Sequence, residues 1–179
     1  IDDILFVHNQ FNVDASKFIG KNIILAAADV QSQFQVIKSG QQFEDLVVST
    51  VWSNDHIDFT WHNTYPEVRN RNDIYGEVDF YRDSTQIHLS RSQIDILDEV
   101  WTIKDNNLIT LKNQEVKIDN LNIGSDNQMI TANGIIGRQE NDLLAVTVNS
   151  FDLSLLNPLL PENLSGSVSG EFALTNLYS

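Results

Sequence analysis

Histidine is the side chain most often recruited for metal binding and for proton transfer near neutral pH. The chain carries four, His8, His56, His62 and His88. His56 and His62 share one phase of the alternating run Asp55-His-Ile-Asp-Phe-Thr-Trp-His, but they are six positions apart, roughly 20 Å along an extended strand. One zinc ion needs converging ligands, so these two make no site along their own strand. His88 lies between Ile87 and Leu89 on a polar phase, and His8 is isolated. All four are read as solvated strand-face side chains, and no metal ligand is assigned.

Carboxylates are abundant, and some pair of them always looks catalytic. Glu77 and Asp79 lie along one run, while Asp95 and Asp98-Glu99 lie near a turn. A catalytic pair needs a cleft that splits the two pKa values, whereas these residues occupy the polar half of the alternation. Glu140-Asn-Asp142 lacks the ligand ladder and glycine turn of an EF-hand loop and reads as a hairpin tip. In Gly166-Ser-Val-Ser-Gly170 the centre between the glycines is Val168, where a nucleophile elbow needs Ser. There is no glycine-rich phosphate loop. The sequon at Asn163-Leu-Ser165 is of a kind common by chance. With no Cys, thiolate catalysis, thiolate metal sites and disulfides are all excluded. No catalytic residue and no cofactor is assigned, and the chain is read as non-enzymatic.

Charge narrows the partners. Asp plus Glu number 25 against 11 Lys plus Arg, a net charge of −14. Nucleic-acid binding draws on a basic stripe that displaces counterions. The densest basic spot here is only Arg69 with Arg71, so nucleic acid is disfavoured as a partner, as is an anionic membrane surface. No run approaches the roughly 18 apolar residues of a spanning helix. The chain opens on Ile1 and ends within a strand-like stretch, Phe172 to Ser179, which reads as a segment cut from a longer polypeptide.

What positions these side chains is period-two alternation, dominant from about Ile23 onward. Phe59 and Trp61 share a face with Ile57; Val78 pairs with Phe80, Ile87 with Leu89, Ile109 with Leu111, Val116 with Ile118, and Val146 with Val148. Polar clusters separate the runs: Arg82-Asp-Ser-Thr, Lys104-Asp-Asn-Asn, Gly124-Ser-Asp-Asn-Gln and Arg138-Gln-Glu-Asn-Asp. Strand, short polar turn, strand is the pattern of an antiparallel meander of about a dozen strands. Between Ser150 and Pro161 the alternation breaks. Leu155, Leu156, Leu159 and Leu160 take helix-like spacing, limited by Pro158 and Pro161 to a turn or two. This predicts a short plug near residues 152–160 over one end of the sheet. Residues 1–20 are weakly patterned, with Ile4 to Val7 a short strand candidate, and residues 65–73 read as a longer loop. The three Trp, at 52, 61 and 101, fall on apolar phases and are expected in the interior. No internal domain boundary is drawn in residues 1–179.

One order of motifs has a specific look. The run from Val116 to Gly137 is followed by Asn141-Asp-Leu-Leu-Ala-Val-Thr-Val-Asn-Ser-Phe-Asp-Leu, a leucine plug, and Leu164-Ser-Gly-Ser-Val-Ser-Gly-Glu-Phe. This resembles the TamB family, the translocation and assembly module of the diderm bacterial envelope, within the AsmA-like group. The match covers roughly residues 75–179, with a looser reach back to about residue 21. The resemblance implies an all-β fold: an elongated, mostly antiparallel curled sheet, a taco-like trough with an apolar interior. It implies a periplasmic location, with an inner-membrane anchor outside this segment. It implies phospholipid acyl chains held in, or conducted along, the groove toward the outer membrane. It also implies assistance to outer-membrane protein assembly, with a barrel partner of the TamA type engaged through regions outside this chain.

On that reading the groove residues are Phe59, Trp61, Val78, Phe80, Ile87, Leu89, Ile109, Leu111, Val116, Ile118, Val146 and Val148, with the histidines on the other face. Two other readings stay open from the residues alone. One is a structural or adhesive β-sandwich with a closed core; the other is a glycan-acting enzyme, which lacks a placed acid–base pair.

Overall fold

In the computed structural model, residues 4–18, 23–37, 42–64, 71–96, 99–139, 141–159 and 163–175 are described. They form thirteen strands: β1 (Ile4–Phe18), β2 (Ile23–Ile37), β3 (Gln42–Ser53), β4 (His56–Thr64), β5 (Arg71–Phe80), β6 (Thr85–Leu89), β7 (Ser92–Ile96), β8 (Glu99–Ile103), β9 (Leu108–Lys112), β10 (Glu115–Ser125), β11 (Gln128–Ile136), β12 (Leu143–Asp152) and β13 (Ser167–Thr175). A single 3-10 turn, Leu153–Leu159, precedes β13. All strands join one antiparallel sheet with β1 and β13 at its two ends. No helix among the described residues is long and apolar enough to cross a membrane.

The tight turns are made by residues that tolerate left-handed backbone. Ser53 pairs with His56, Lys112 with Glu115 and Ser125 with Gln128, so each connection has two residues. Asn54, Asn113, Gln114 and Asp126 carry positive φ there. Two-residue hairpins favour such backbone because its twist matches that of the flanking strands.

Bulges keep the apolar phase on one side. Ile118 and Leu121 are an odd number of residues apart, so plain alternation would put them on opposite faces. A register shift between them, with Asn120 at φ 54°, restores Leu121 to the side of Ile118. The same device, with Ser150 at φ 51°, returns Phe151 to the side of Val148. Opposite the first bulge Gly134 takes φ 133°, and a Cβ there would strike the carbonyl of Leu143, so only glycine fits.

The middle of the sheet is split. β6 and β7 run consecutively beside β5, and β9 and β8 beside β10, with interruptions at residues 90–91 and 104–107. Asn107 fills the gap: its amide accepts from Leu89 N at 3.0 Å and donates to Leu89 O at 2.7 Å and Lys104 O at 2.6 Å. Ser92 does likewise against Tyr75, accepting from its N–H at 3.0 Å. Side chains thus complete the interrupted ladder beside the backbone bonds from Ser90 N to Tyr75 O and from Lys104 N to Asn122 O, both 3.0 Å, as buried polar groups require.

Several expectations are corrected. β1 is a full 15-residue strand, although Phe11 and Val13 stand out among polar neighbours. Arg71 to Asp73, expected in a loop, belong to β5; residues 65–70 lie outside the described residues. The short plug expected near residues 152–160 is borne out as the 3-10 turn Leu153–Leu159, with Leu155 buried and Leu156 half-buried; the side chain of Leu159 and all of Leu160 lie outside the described residues. Trp101 is interior at 1% exposure, but Trp52 and Trp61 are 47% and 43% exposed.

Fully buried apolar side chains are few: Leu46, Trp101, Ile103, Leu144 and Leu155 among the described residues. The chain exposes 12093 Å², against about 8,800 Å² for a compact domain of its 20.3 kDa mass. Exposed large apolar side chains lie on both faces of the sheet, Trp52, Trp61 and Phe80 on one and Val51, Tyr75 and Leu143 on the other.

Candidate functional site

Residues directly opposite in an antiparallel pair share a face. Following the register, Trp52, Ile57, Val78, Ile87, Ile109 and Ile118 form one unbroken row across β3, β4, β5, β6, β9 and β10. A second row holds Phe59, Gly76 and Leu89, and a third holds Val48, Trp61 and Ile74. Past the bulge, Ala132, Val146 and Phe172 continue from Leu121, while Ile130, Val148 and Gly170 continue from Ile123. All twelve residues read from the sequence as groove-lining therefore lie on this one face. Gly76 has no side chain because Phe59 lies on it; a Cβ would sit 2.7 Å from that ring and 2.6 Å from His88 O.

The face is only partly covered. Trp52, Trp61, Phe80, Leu111, Phe172 and Leu174 are all more than a third exposed. Covering is concentrated at one end, where Trp101 meets Phe151 with ring centroids 6.0 Å apart. The 3-10 turn is fixed there by Asp152, which accepts from Ser154 N at 2.8 Å, and by Asn157, whose amide bridges both backbone groups of Leu164. A pocket of about 420 Å³ lies beside Leu111 and Val116 at the β9–β10 hairpin.

The opposite face carries the chemistry-bearing side chains. His56, His62 and His88 are all on it, because each stands in register opposite a carboxylate of β5: Asp79, Asp73 and Glu77. His56 Nδ1 meets Asp79 at 2.7 Å and its Nε2 meets Asp58 at 3.3 Å. His62 Nδ1 meets Asp73 at 2.7 Å, and Arg71 Nε donates to the other oxygen of Asp73. His88 Nδ1 meets Glu77 at 3.1 Å, while its Nε2 contacts Asp105 O.

The hydrogen bond to Asp79 raises the His56 imidazole above its usual value, against the opposing effect of burial, with Asp58 adding to the rise. For His88 the Asp105 carbonyl is the main cause of a rise, again opposed by burial and helped by Glu77. Burial pushes Asp73 up, but the bonds from Arg71 and His62 together hold it below the ordinary carboxylate value.

One ligand atom each from His56, Asp58 and Glu77 can be chosen with all separations within 4.8 Å. Sequence reasoning missed this group. It measured spacing along one strand, whereas the convergence runs across β4 and β5. The i, i+2 pair His56 and Asp58, set against Glu77 and Asp79 two residues apart, was the available signal; only the register joins them.

Comparison with known proteins returns no matching family model, no matching curated protein and no matching solved structure.

Proposed function

We propose that this chain is a non-enzymatic segment that holds or conducts phospholipid acyl chains along the apolar face of its sheet. The observation that carries the reading is the continuous apolar face, in register across the sheet and left largely uncovered. Monomeric proteins rarely expose contiguous apolar surface of this kind unless it binds something. Each methylene laid on such a surface contributes about 0.8 kcal/mol. Ten interstrand steps from β1 to β13 give a track of about 48 Å along the hydrogen-bonding direction.

The resemblance to the TamB family supplies the biological setting of the proposal: a periplasmic trough moving lipid toward the outer membrane, or assisting barrel assembly with a TamA-type partner. An apolar face beside exposed strand edges serves either task.

The test is lipid occupancy. After incubation with phosphatidylethanolamine vesicles and re-isolation, native mass spectrometry should show phospholipid bound to the chain. Leu111→Arg and Val146→Arg put a charge on the face, and desolvating it costs several kcal/mol unless the side chain snorkels to water. Both variants should therefore lose lipid while keeping their strand signal in circular dichroism. Absence of lipid on the unaltered chain, or equal lipid on folded forms of both variants, overturns the reading. Unfolding of both variants points instead to a closed core.

A further inference from the structure

On the polar face, away from the proposed track, β4 and β5 set four side chains in a square. His56 and Asp58 are same-side neighbours on β4, and Asp79 and Glu77 stand directly opposite them on β5. Asp58 and Glu77 thus form a cross-strand carboxylate pair, an arrangement that repels unless a positive charge lies between. The imidazole makes the need sharper. His56 Nδ1, at 2.7 Å from the Asp79 carboxylate, must carry the donated proton. In the neutral ring, Nε2 is then a lone pair, and it faces Asp58 Oδ1 at 3.3 Å. In the imidazolium a proton on Nε2 fills that gap; in the neutral ring the lone pair and the carboxylate converge as two ligands of one cation would.

We propose that His56 Nε2, Asp58 and Glu77 form a site for a divalent first-row transition cation, with zinc the natural probe, bracing β4 to β5 on the polar face. Three features fit. The donor set of one imidazole and two carboxylates suits zinc rather than magnesium or calcium, which take oxygen alone. The 3.3 Å between Nε2 and Asp58 matches the edge of about 3.4 Å that zinc–ligand bonds of ~2.1 Å give a tetrahedron. Asp79 supplies the outer carboxylate that commonly orients a ligating histidine by accepting from its other nitrogen. The largest separation, bounded at 4.8 Å, closes by side-chain rotation, since Asp58 is exposed and Glu77 half-exposed. The fourth position is open to water, while His88 touches Glu77 from the far side at 3.1 Å.

The experiment titrates zinc chloride into the whole chain by calorimetry, with magnesium chloride run in parallel. One saturable zinc ion per chain is expected, with a rise in thermal midpoint as zinc exceeds its dissociation constant. His56→Gln and Glu77→Gln should abolish saturable binding. Asp79→Asn should weaken it by about 10–100-fold through loss of the outer carboxylate. His62→Gln, in the neighbouring cluster, should leave it unchanged. Nitrogen-15 imidazole spectra of the unaltered chain give a readout independent of any variant's folding: zinc should move His56 Nε2 and leave His62 in place. The site is overturned by no saturable zinc binding, by binding that magnesium matches, by binding that survives His56→Gln, or by an unmoved His56 resonance.

Discussion

At the scale of single residues, the polar face is a set of cross-strand charge pairs whose members are individually exposed but jointly ordered. The cluster of Arg71, Asp73 and His62 is the most protected, with the Asp73 side chain only 14% exposed. Its folded carboxyl is depressed, so its contribution to stability is complete above the ordinary pKa of the unfolded chain. That contribution is lost as pH falls through the depressed folded value. Asp73→Asn should therefore lower the urea midpoint at about pH 7 and flatten the acid limb of stability between about pH 5 and about pH 3. Urea titrations across that range check this; an acid limb as steep in the variant would assign it to other carboxylates. Which face each histidine takes was legible in the alternation, since His56, Asp58 and His62 share a phase. Which carboxylate each meets was not, because the partner depends on register, and register is fixed by turns such as Asn54-Asp55 and by bulges that propensity does not reveal.

Elements show the same division. Runs such as Ile57-Phe59-Trp61 and Val78-Phe80 announce strands directly, and the two-residue turn before the first follows from Asn54-Asp55. Long strands interrupted in phase were harder to see. β10 reads as two short apolar pairs until the bulge at Asn120 joins them, and β12 reads as ending before Phe151 until the bulge at Ser150 does the same. The split at β6–β7 and β8–β9 has an equally local origin, in Asn107 and Ser92. These residues are 3% and 1% exposed, and polar residues outnumber apolar ones among the described buried residues. Much of the sheet's tightest packing is thus at polar seams. Asn107→Ala would leave the N–H and carbonyl of Leu89 without this partner, at about 1–3 kcal/mol for each group orphaned away from water. Hydrogen exchange should show the Leu89 amide losing protection ahead of the amides of β2 and β3 between Leu25 and Ser32, where the ladder pairs residue by residue. Uniform loss across all strands would mean that the seam unfolds only with the whole sheet.

For the whole molecule, the question is whether the apolar face is a surface or an interior, and the three tryptophans report on it separately. Trp101 is buried against Phe151 beside the 3-10 turn, whereas Trp52 and Trp61 lie open on the same face. Truncating a buried aromatic costs about 3–5 kcal/mol, so Trp101→Ala should unfold the chain at markedly lower denaturant. Trp52→Ala removes a half-exposed ring and should cost about 1 kcal/mol or less. A closed core would make the two losses comparable. The contrast also separates stability from binding. Phosphatidylcholine vesicles with brominated acyl chains quench tryptophan on contact, and fluorescence of the unaltered chain should fall as Trp52 and Trp61 meet the chains. The double variant Trp52→Phe, Trp61→Phe keeps the apolar face while removing both reporters, leaving Trp101 shielded beneath its cover. Its fluorescence should be insensitive to the brominated lipid. Quenching that persists undiminished in the double variant would mean that lipid reaches the chain only where Trp101 is unmasked, through unfolding at the membrane rather than along the track. No quenching in the unaltered chain would leave the open face without an acyl-chain ligand.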